Sequence, residues 1–413
     1  MATLKPFKAI RPRRDLAHLI ASRPVATYTP EILAAKLEDN PFTFIHIIHP
    51  EYFEKKGNKT EPNTPERFAK VKNKFNEFYD NGFFVEETEP ALYVYRQTKG
   101  DRVFSGVICG ASVEEYKSNK IKKHEATLTS REEMFTNYLD IVGLNAEPVL
   151  LCHEHSNDVE ELLGKIMNDR PEYEFTTADA IKHELWVVQG ETMTELQLGY
   201  ATIPHSYIAD GHHRSASSVR LADRINERGN TKNDVHNYFL SYFISEKELQ
   251  ILPFNRICKD LNGLSSAAFL DQLKTDFEVT PLSKAEAPDQ LHQINCYLDG
   301  KWYALTSKDK ILQGLSPVGE IDAEILTKHI LSPILGIHDL KTDKNIKFVS
   351  GEKGISPIEQ VVDRGVYKVG FALYPVTVEQ LKNVADADSI MPPKSTWIAP
   401  KMRSGLTIYK IKE

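Results

Sequence analysis

The stretch SYIADGHHRSASSVRLADRIN, residues 206–226, decides how this chain is read. An apolar run with strand character ends at Asp210 and Gly211, and a helix-like run of small and apolar residues begins just beyond. Between the two stand His212, His213 and Arg214. A strand that ends in Asp-Gly and feeds a helix brings backbone N–H groups and the positive end of the helix dipole to one point. Such a point favours an anion, phosphate above all. Gly211 lets the backbone turn and approach a ligand closely. The two histidines add donors, and Arg214 adds a permanently charged, bidentate one. Asp210 has two possible uses, orienting a histidine or helping to bind Mg2+ beside phosphates. Ser215 joins the phosphate set, and with Ala216, Ser217 and Ser218 it keeps the helix start small enough to pack tightly. The alternative is structural, with Asp210 as a helix cap, Gly211 as a turn and the histidines as packing. The five residues taken together weigh against it, because so many donors in one turn have little structural use without an anion.

Outward from this joint the pattern is mixed α/β. Residues 42–50, FTFIHIIHP, read as a buried strand. Residues 63–84 read as a helix capped by Thr64, with Pro65 in its first position and an apolar stripe through Phe68, Val71, Phe75 and Phe78. Residues 91–97 and 102–110 form a hairpin pattern. Thr129 and Glu132 have capping-box spacing for a helix running to about Leu139. EPVLLCHEH and HELWVVQ read as strands, VEELLGKIMN as a helix, and Gly229 as the stop of the helix that begins after Asp210. A polar loop is expected over 229–237, with a soft boundary near residue 235 or later. Beyond it, helix and strand alternate, with an Asp299-Gly300 turn and a lysine-bearing, proline-rich loop ahead of the last strand.

The 413 residues are too many for one average domain and suggest two or three. A hydrophobic content of 41% and a charged content of 26% are ordinary globular values. The net charge of −7 leaves nucleic-acid binding only to a local basic patch. Four well-separated cysteines without CxxC spacing give neither a zinc ribbon nor a disulfide framework, so reduced cytoplasmic thiols are expected. The basic N-terminal stretch lacks an apolar run after it, and no segment is apolar over bilayer length, which points to a soluble cytosolic protein without a membrane partner. No fixed-period repeat is visible. Oligomeric state is not legible.

Three motifs, KKHEAT at 122–127, YIADGHHRSAS at 207–217 and MPPKSTWIAPKMRSGL at 391–406, resemble the bacterial and archaeal domain-of-unknown-function family 1015. That resemblance implies a ParB/sulfiredoxin-like nucleotide-binding core over 111–240, an N-terminal α/β region over 1–110 and a C-terminal α/β region over 241–413. The DGHHR motif also resembles that of ParB-like free serine kinases, which phosphorylate the amino acid itself from a nucleoside di- or triphosphate. His212 stands where sulfiredoxins carry a nucleophilic cysteine, which disfavours sulfiredoxin chemistry. No basic helix-turn-helix pair is evident after residue 230, which disfavours DNA partitioning.

The kinase resemblance implies ATP or ADP as donor, Mg2+, and L-serine as acceptor. Asp210 and His212 would be catalytic with Glu125, which sits ahead of a helix where it could accept the hydroxyl proton. A solvated loop is the alternative for Glu125. Gly211, His213, Arg214 and Ser215 would bind phosphate, joined by Lys394, Ser395 and Thr396 from a loop stiffened by Pro392 and Pro393. His124, Lys401 and Arg403 would bind substrate. The rival expectation is a nucleotide-binding switch that transfers no phosphate to a metabolite. The CHEH run at 152–155 places its residues on alternate faces of a strand and offers at most two ligands on one side. HEATL lacks the second histidine of a zinc-protease motif.

Overall fold

The computed structural model describes residues 2–229 and 233–412, so residues 230–232 of the expected 229–237 loop lie outside it. The fold is mixed α/β, as the sequence pattern implies. The chain divides into two compact units: Met1–Lys123, Thr127–Leu249 and Pro400–Glu413 form the first, and His124–Ala126 with Gln250–Ala399 the second. This differs from the three consecutive regions expected. Strands Leu92–Lys99 and Arg102–Ser112, from the supposed N-terminal region, lie within the same eight-stranded sheet as the strands of the following segment. The C-terminal tail also belongs to the first unit, where Tyr409–Lys410 pairs antiparallel with Leu144–Asn145.

In the first unit the eight strands run in the order 121–122, 206–210, 149–153, 238–245, 102–112, 92–99, 182–188 and 173–176. Strands 149–153 and 206–210 are antiparallel, with a register shift between Ile208 and Asp210. Tyr207, Ile208 and Ala209 are buried, as are Leu150 and Leu151 beside them, so the strand ends where its sequence turns polar at Asp210. Burying such a near-continuous apolar run on both faces supplies much of the sheet's stability. The helix His212–Arg228 follows and ends at Gly229, which adopts a φ of 68°. It packs on the helix Thr129–Val142, where Thr136 donates from Oγ1 to the Ser217 carbonyl and Arg224 donates to Asn137 Oδ1 at 2.8 Å.

The helix Pro65–Asp80 begins as its sequence requires, with Pro65 in the first turn and the Thr64 hydroxyl accepting the Arg67 N–H at 3.4 Å. Its buried face is Phe68, Val71, Phe75 and Phe78. Residues 42–50 depart from expectation: Ile45–Ile48 is a helical turn, not a strand. A short apolar run carries no periodicity that separates the two, and here Phe44, Ile45 and Ile47 are buried from a helical backbone. The expected capping box at Thr129 is also absent. Leu128 is the cap residue, Thr129 already lies inside the helix, and the Glu132 carboxylate accepts the Thr127 hydroxyl instead.

The second unit is built on an antiparallel sheet in the order 277–281, 301–307, 293–298, 369–373, 250–258 and 346–350, with 396–399 also pairing 250–258. Asp299 and Gly300 have φ of 48° and 76°, as a tight two-residue hairpin turn demands. The four cysteines are buried as thiols. Among the described residues no helix is long and apolar enough to cross a membrane.

Candidate functional site

Gly211 is the pivot of the strand-to-helix joint. Its φ of 108° is a left-handed value that disfavours any side chain, and a Cβ there would lie 2.9 Å from Arg214 Nε and Nη2. No side chain caps the helix that starts at His212, and no acidic residue occupies its first turn. The end of a helix of this length carries partial positive charge and N–H groups directed away from the helix body.

Arg214 is held by two carboxylates. Its Nη2 donates to Asp210 Oδ2 at 2.9 Å, and its Nη1 donates to Glu147 Oε1. Lys401 Nζ reaches Asp210 Oδ1 at 3.3 Å, and the Ser404 hydroxyl donates to Glu147 Oε2 at 3.1 Å. Burial pushes the Asp210 carboxyl up, but the charges of Lys401 and Arg214 outweigh it and hold the group below its ordinary value. Asp210 is thus oriented by two cations rather than by a histidine. Burial, reinforced by Arg131 and opposed by Glu132, holds His213 below the ordinary imidazole value, so the ring is neutral at pH 7. His212 is buried at the helix start. The Ser215 hydroxyl is turned back to the Gly211 and His212 carbonyls at 3.3 and 3.0 Å, so the expected side-chain contact to phosphate is already spent on backbone.

Arg403 is placed elsewhere than expected. It is buried, and its Nη2 donates to both oxygens of Asp179, at 2.9 and 2.8 Å, and to Thr177 Oγ1 at 3.1 Å. This ties the C-terminal tail to the turn between strands Tyr173–Thr176 and Lys182–Val188. Burial, opposed by Thr177 and Arg403, leaves Asp179 at about 2. Arg403 therefore acts on the frame, and a substrate would have to displace Asp179 to reach it.

The remaining expected residues lie in the second unit. The His124 carbonyl accepts the Met391 N–H at 2.9 Å, so the KKHEAT and MPPKST segments meet. Glu125 is exposed beside the buried His124. Lys394 has a φ of 61°, and its ammonium stands 5.5 Å from the Phe254 ring centre. Its carbonyl accepts from the fully buried Arg256 at 3.1 Å. Burial lowers that guanidinium to about 9. Ser395 donates to the Pro392 carbonyl at 2.8 Å, closing the proline turn, and Thr396 pairs with Pro253 in the sheet. Lys394 is thus the one side chain of the three directed to solvent. The candidate residues form two groups, one in each unit. Glu147 belongs to the first group and was not singled out by sequence, because a lone glutamate before an apolar strand carries no motif.

Among the described residues no group of three or more His, Cys, Asp or Glu side chains is placed to hold a metal ion. Mg2+ beside phosphates needs less, commonly one or two carboxylates with phosphate and water completing its shell. Asp210, paired with Arg214 and Lys401, fits that requirement.

An uncapped helix N-terminus, a turn that favours glycine and two cations paired with two carboxylates make up the first group, in a mixed α/β protein. The chain belongs to the family described as protein of unknown function (DUF1015), whose model matches residues 4–324. No curated protein matches it. Similar solved structures include a free serine kinase in complex with AMP, at 14% identity over 73% of this chain and 91% of that one, with a TM-score of 0.35. A conserved hypothetical protein from Pyrococcus furiosus matches at 14% identity over 73% and 95%, with a TM-score of 0.33. A C-terminally truncated SbnI from Staphylococcus aureus matches at 10% identity over 73% and 87%, with a TM-score of 0.38.

Proposed function

We propose that the protein is a phosphotransferase that moves a phosphoryl group from ATP or ADP to the hydroxyl of a free amino acid, with L-serine as the first acceptor. The observation that carries this reading is the sharing of Arg214 between Asp210 and Glu147 at the uncapped start of the 212–228 helix. Two cations and two carboxylates balance one another there, so a polyanion can enter by exchanging with the carboxylates for Arg214 and Lys401. The guanidinium binds phosphate bidentately, and the helix start adds N–H donors. Asp210, once displaced, is the residue that would hold Mg2+, which when bound neutralises charge on the phosphate oxygens. His213, neutral at pH 7, acts as a hydrogen-bonding group rather than a third cation. Glu125, an exposed carboxylate next to the buried His124, is assigned the acceptor's proton. The DGHHR resemblance supports the same reading.

Phosphorus NMR of the full chain with Mg2+ and ATP or ADP, with and without L-serine or L-threonine, tests it. A new phosphomonoester signal that requires both the amino acid and Arg214 is the expected result. Nucleotide binding without any such signal refutes the kinase and leaves a nucleotide switch.

A further inference from the structure

Next to Arg214, and wholly within the first unit, lies a cavity of about 390 Å3. That volume is in the usual range for small-molecule sites, roughly 300–1,000 Å3. Phe68, Val71, Phe135, Tyr138 and Leu139 form apolar and aromatic walls, and Glu147, Arg214 and Ser404 form the polar end. Phe68 and Tyr138 meet edge to face at 5.3 Å. Burial, with Glu147's charge added, pushes the Tyr138 phenol up to about 12. Asn63, Asn145 and His49 are the remaining polar groups of the wall apart from Arg67. Burial, then the charges of Arg67 and Lys59, keep the His49 imidazole neutral. Arg67, also of the wall, is paired with the buried Glu51 at 2.5 Å, a carboxylate that Lys70 shares.

The cavity's aromatic and apolar lining with its amide groups shares Glu147 and Arg214 with an ion-pair chain that continues from Glu147 through Arg214 to Asp210 and Lys401. A nucleotide joins matching groups in one molecule. Its base is a flat ring system with polar edges, its ribose carries hydroxyls that a carboxylate accepts, and its phosphates need cations. Serine does not match the chamber, because a single hydroxymethyl group would leave its apolar walls uncovered. We propose that this cavity takes the nucleobase of the phosphoryl donor, with Glu147 accepting ribose hydroxyls between the base and the phosphate held at Arg214. The assignment rests on the phosphate reading given above and adds to it where the donor's other end lies.

Calorimetric titration of the full chain with AMP, ribose 5-phosphate and pyrophosphate tests it. Burying an aromatic base should make AMP bind about tenfold or more tighter than ribose 5-phosphate. Ala146→Phe, which fills the chamber from the wall, should erase that advantage and leave ribose 5-phosphate within about twofold, since only transfer of the base is blocked. Should Ala146→Phe lose ribose 5-phosphate binding as well, Phe135→Ala decides, because trimming one wall ring must weaken AMP and spare ribose 5-phosphate. Equal binding of AMP and ribose 5-phosphate by the unmodified chain, or Phe135→Ala and Ala146→Phe both leaving AMP untouched, overturns the nucleobase assignment. In that case pyrophosphate binding lost in Arg214→Ala leaves the phosphate reading standing, whereas pyrophosphate binding indifferent to Arg214 removes both.

Discussion

Gly211→Ala tests the frame of the site at its tightest point. At a φ of 108° and ψ of 28° an alanine is strained whatever surrounds it. Holding a side chain in such a sparsely populated region costs about 1–3 kcal/mol. The new Cβ would also stand 2.9 Å from Arg214 Nε and Nη2 and 3.2 Å from Cζ, so the guanidinium must move. Moving it loosens hydrogen bonds to Asp210 and Glu147. Charge-assisted bonds of this kind contribute about 1.5–3 kcal/mol when buried, less at a half-buried site. A combined loss of about 2–4 kcal/mol lowers Tm by roughly 5–10 °C in a body of this size. Thermal unfolding followed by circular dichroism gives the stability, and calorimetry with pyrophosphate gives the affinity, which should fall with it. The same substitution in an Arg214→Ala background keeps the φ strain and removes the clash, so its cost there should shrink to about 1–3 kcal/mol. An equal loss in both backgrounds would mean that Arg214 does not lean on Gly211. No loss in either would refute the left-handed turn itself.

Further expectations concern the charges around this turn and the supports beneath it. Lys401→Met should raise the Asp210 pKa, read by carbon NMR of its carboxyl, and weaken pyrophosphate binding roughly tenfold; an unchanged titration would break the Lys401 assignment. Asp179, held at about 2 beside Arg403, has a depressed folded-state pKa, so its contribution is present above the unfolded value and is lost as pH falls toward 2. Asp179→Asn should therefore lower stability at pH 7 by about 2 kcal/mol and flatten the stability–pH curve between about pH 4 and pH 2. Parallel curves for the two proteins would contradict this. Thr64→Ala should cost about 0.5–1 kcal/mol by removing the cap of the 65–80 helix, measured by urea unfolding. Glu125→Gln should abolish acceptor-dependent turnover while nucleotide affinity stays within about twofold; full activity in that variant would move the base elsewhere.

Much of the framework is legible in the sequence because local signals and tertiary packing agree. Thr64, Pro65 and the Phe68–Val71–Phe75–Phe78 stripe announce a helix that forms as written. Asp299-Gly300 announces a hairpin, and Gly229 a helix end. The signal fails where several backbones satisfy the same apolar residues. FTFIHIIHP has hydrophobic neighbours at every spacing, so burial alone could not separate a strand from the helical turn at Ile45–Ile48. The capping-box spacing at Thr129 failed for a different reason. Thr127, two residues earlier, reaches Glu132 first and leaves Leu128 to start the helix. The three-region partition missed that the chain's last residues, Pro400–Glu413, are assigned to the first unit, a long-range fact that no local pattern carries.

Glu147 shows what kind of site residue is invisible in a sequence and why. The strand Val149–His153 runs antiparallel to Ser206–Asp210, with Leu150 opposite Asp210. Antiparallel pairing sets the beginning of one strand beside the end of the other. Whatever precedes Val149 therefore emerges at the same end of the sheet as whatever follows Asp210, and Glu147 meets Arg214 there. The register shift between Ile208 and Asp210 re-aims the end of the strand at this point, as bulges commonly do beside functional sites. Lys401 arrives through the tail that also pairs Tyr409 with Asn145, close in sequence to Glu147. One pairing register thus brings together a carboxylate from residue 147, the turn at 210–214 and a lysine from residue 401, separated by 67 positions for Glu147–Arg214 and 191 for Asp210–Lys401. The DGHHR turn supplies the recognisable part of the site, and the sheet supplies its counter-charges.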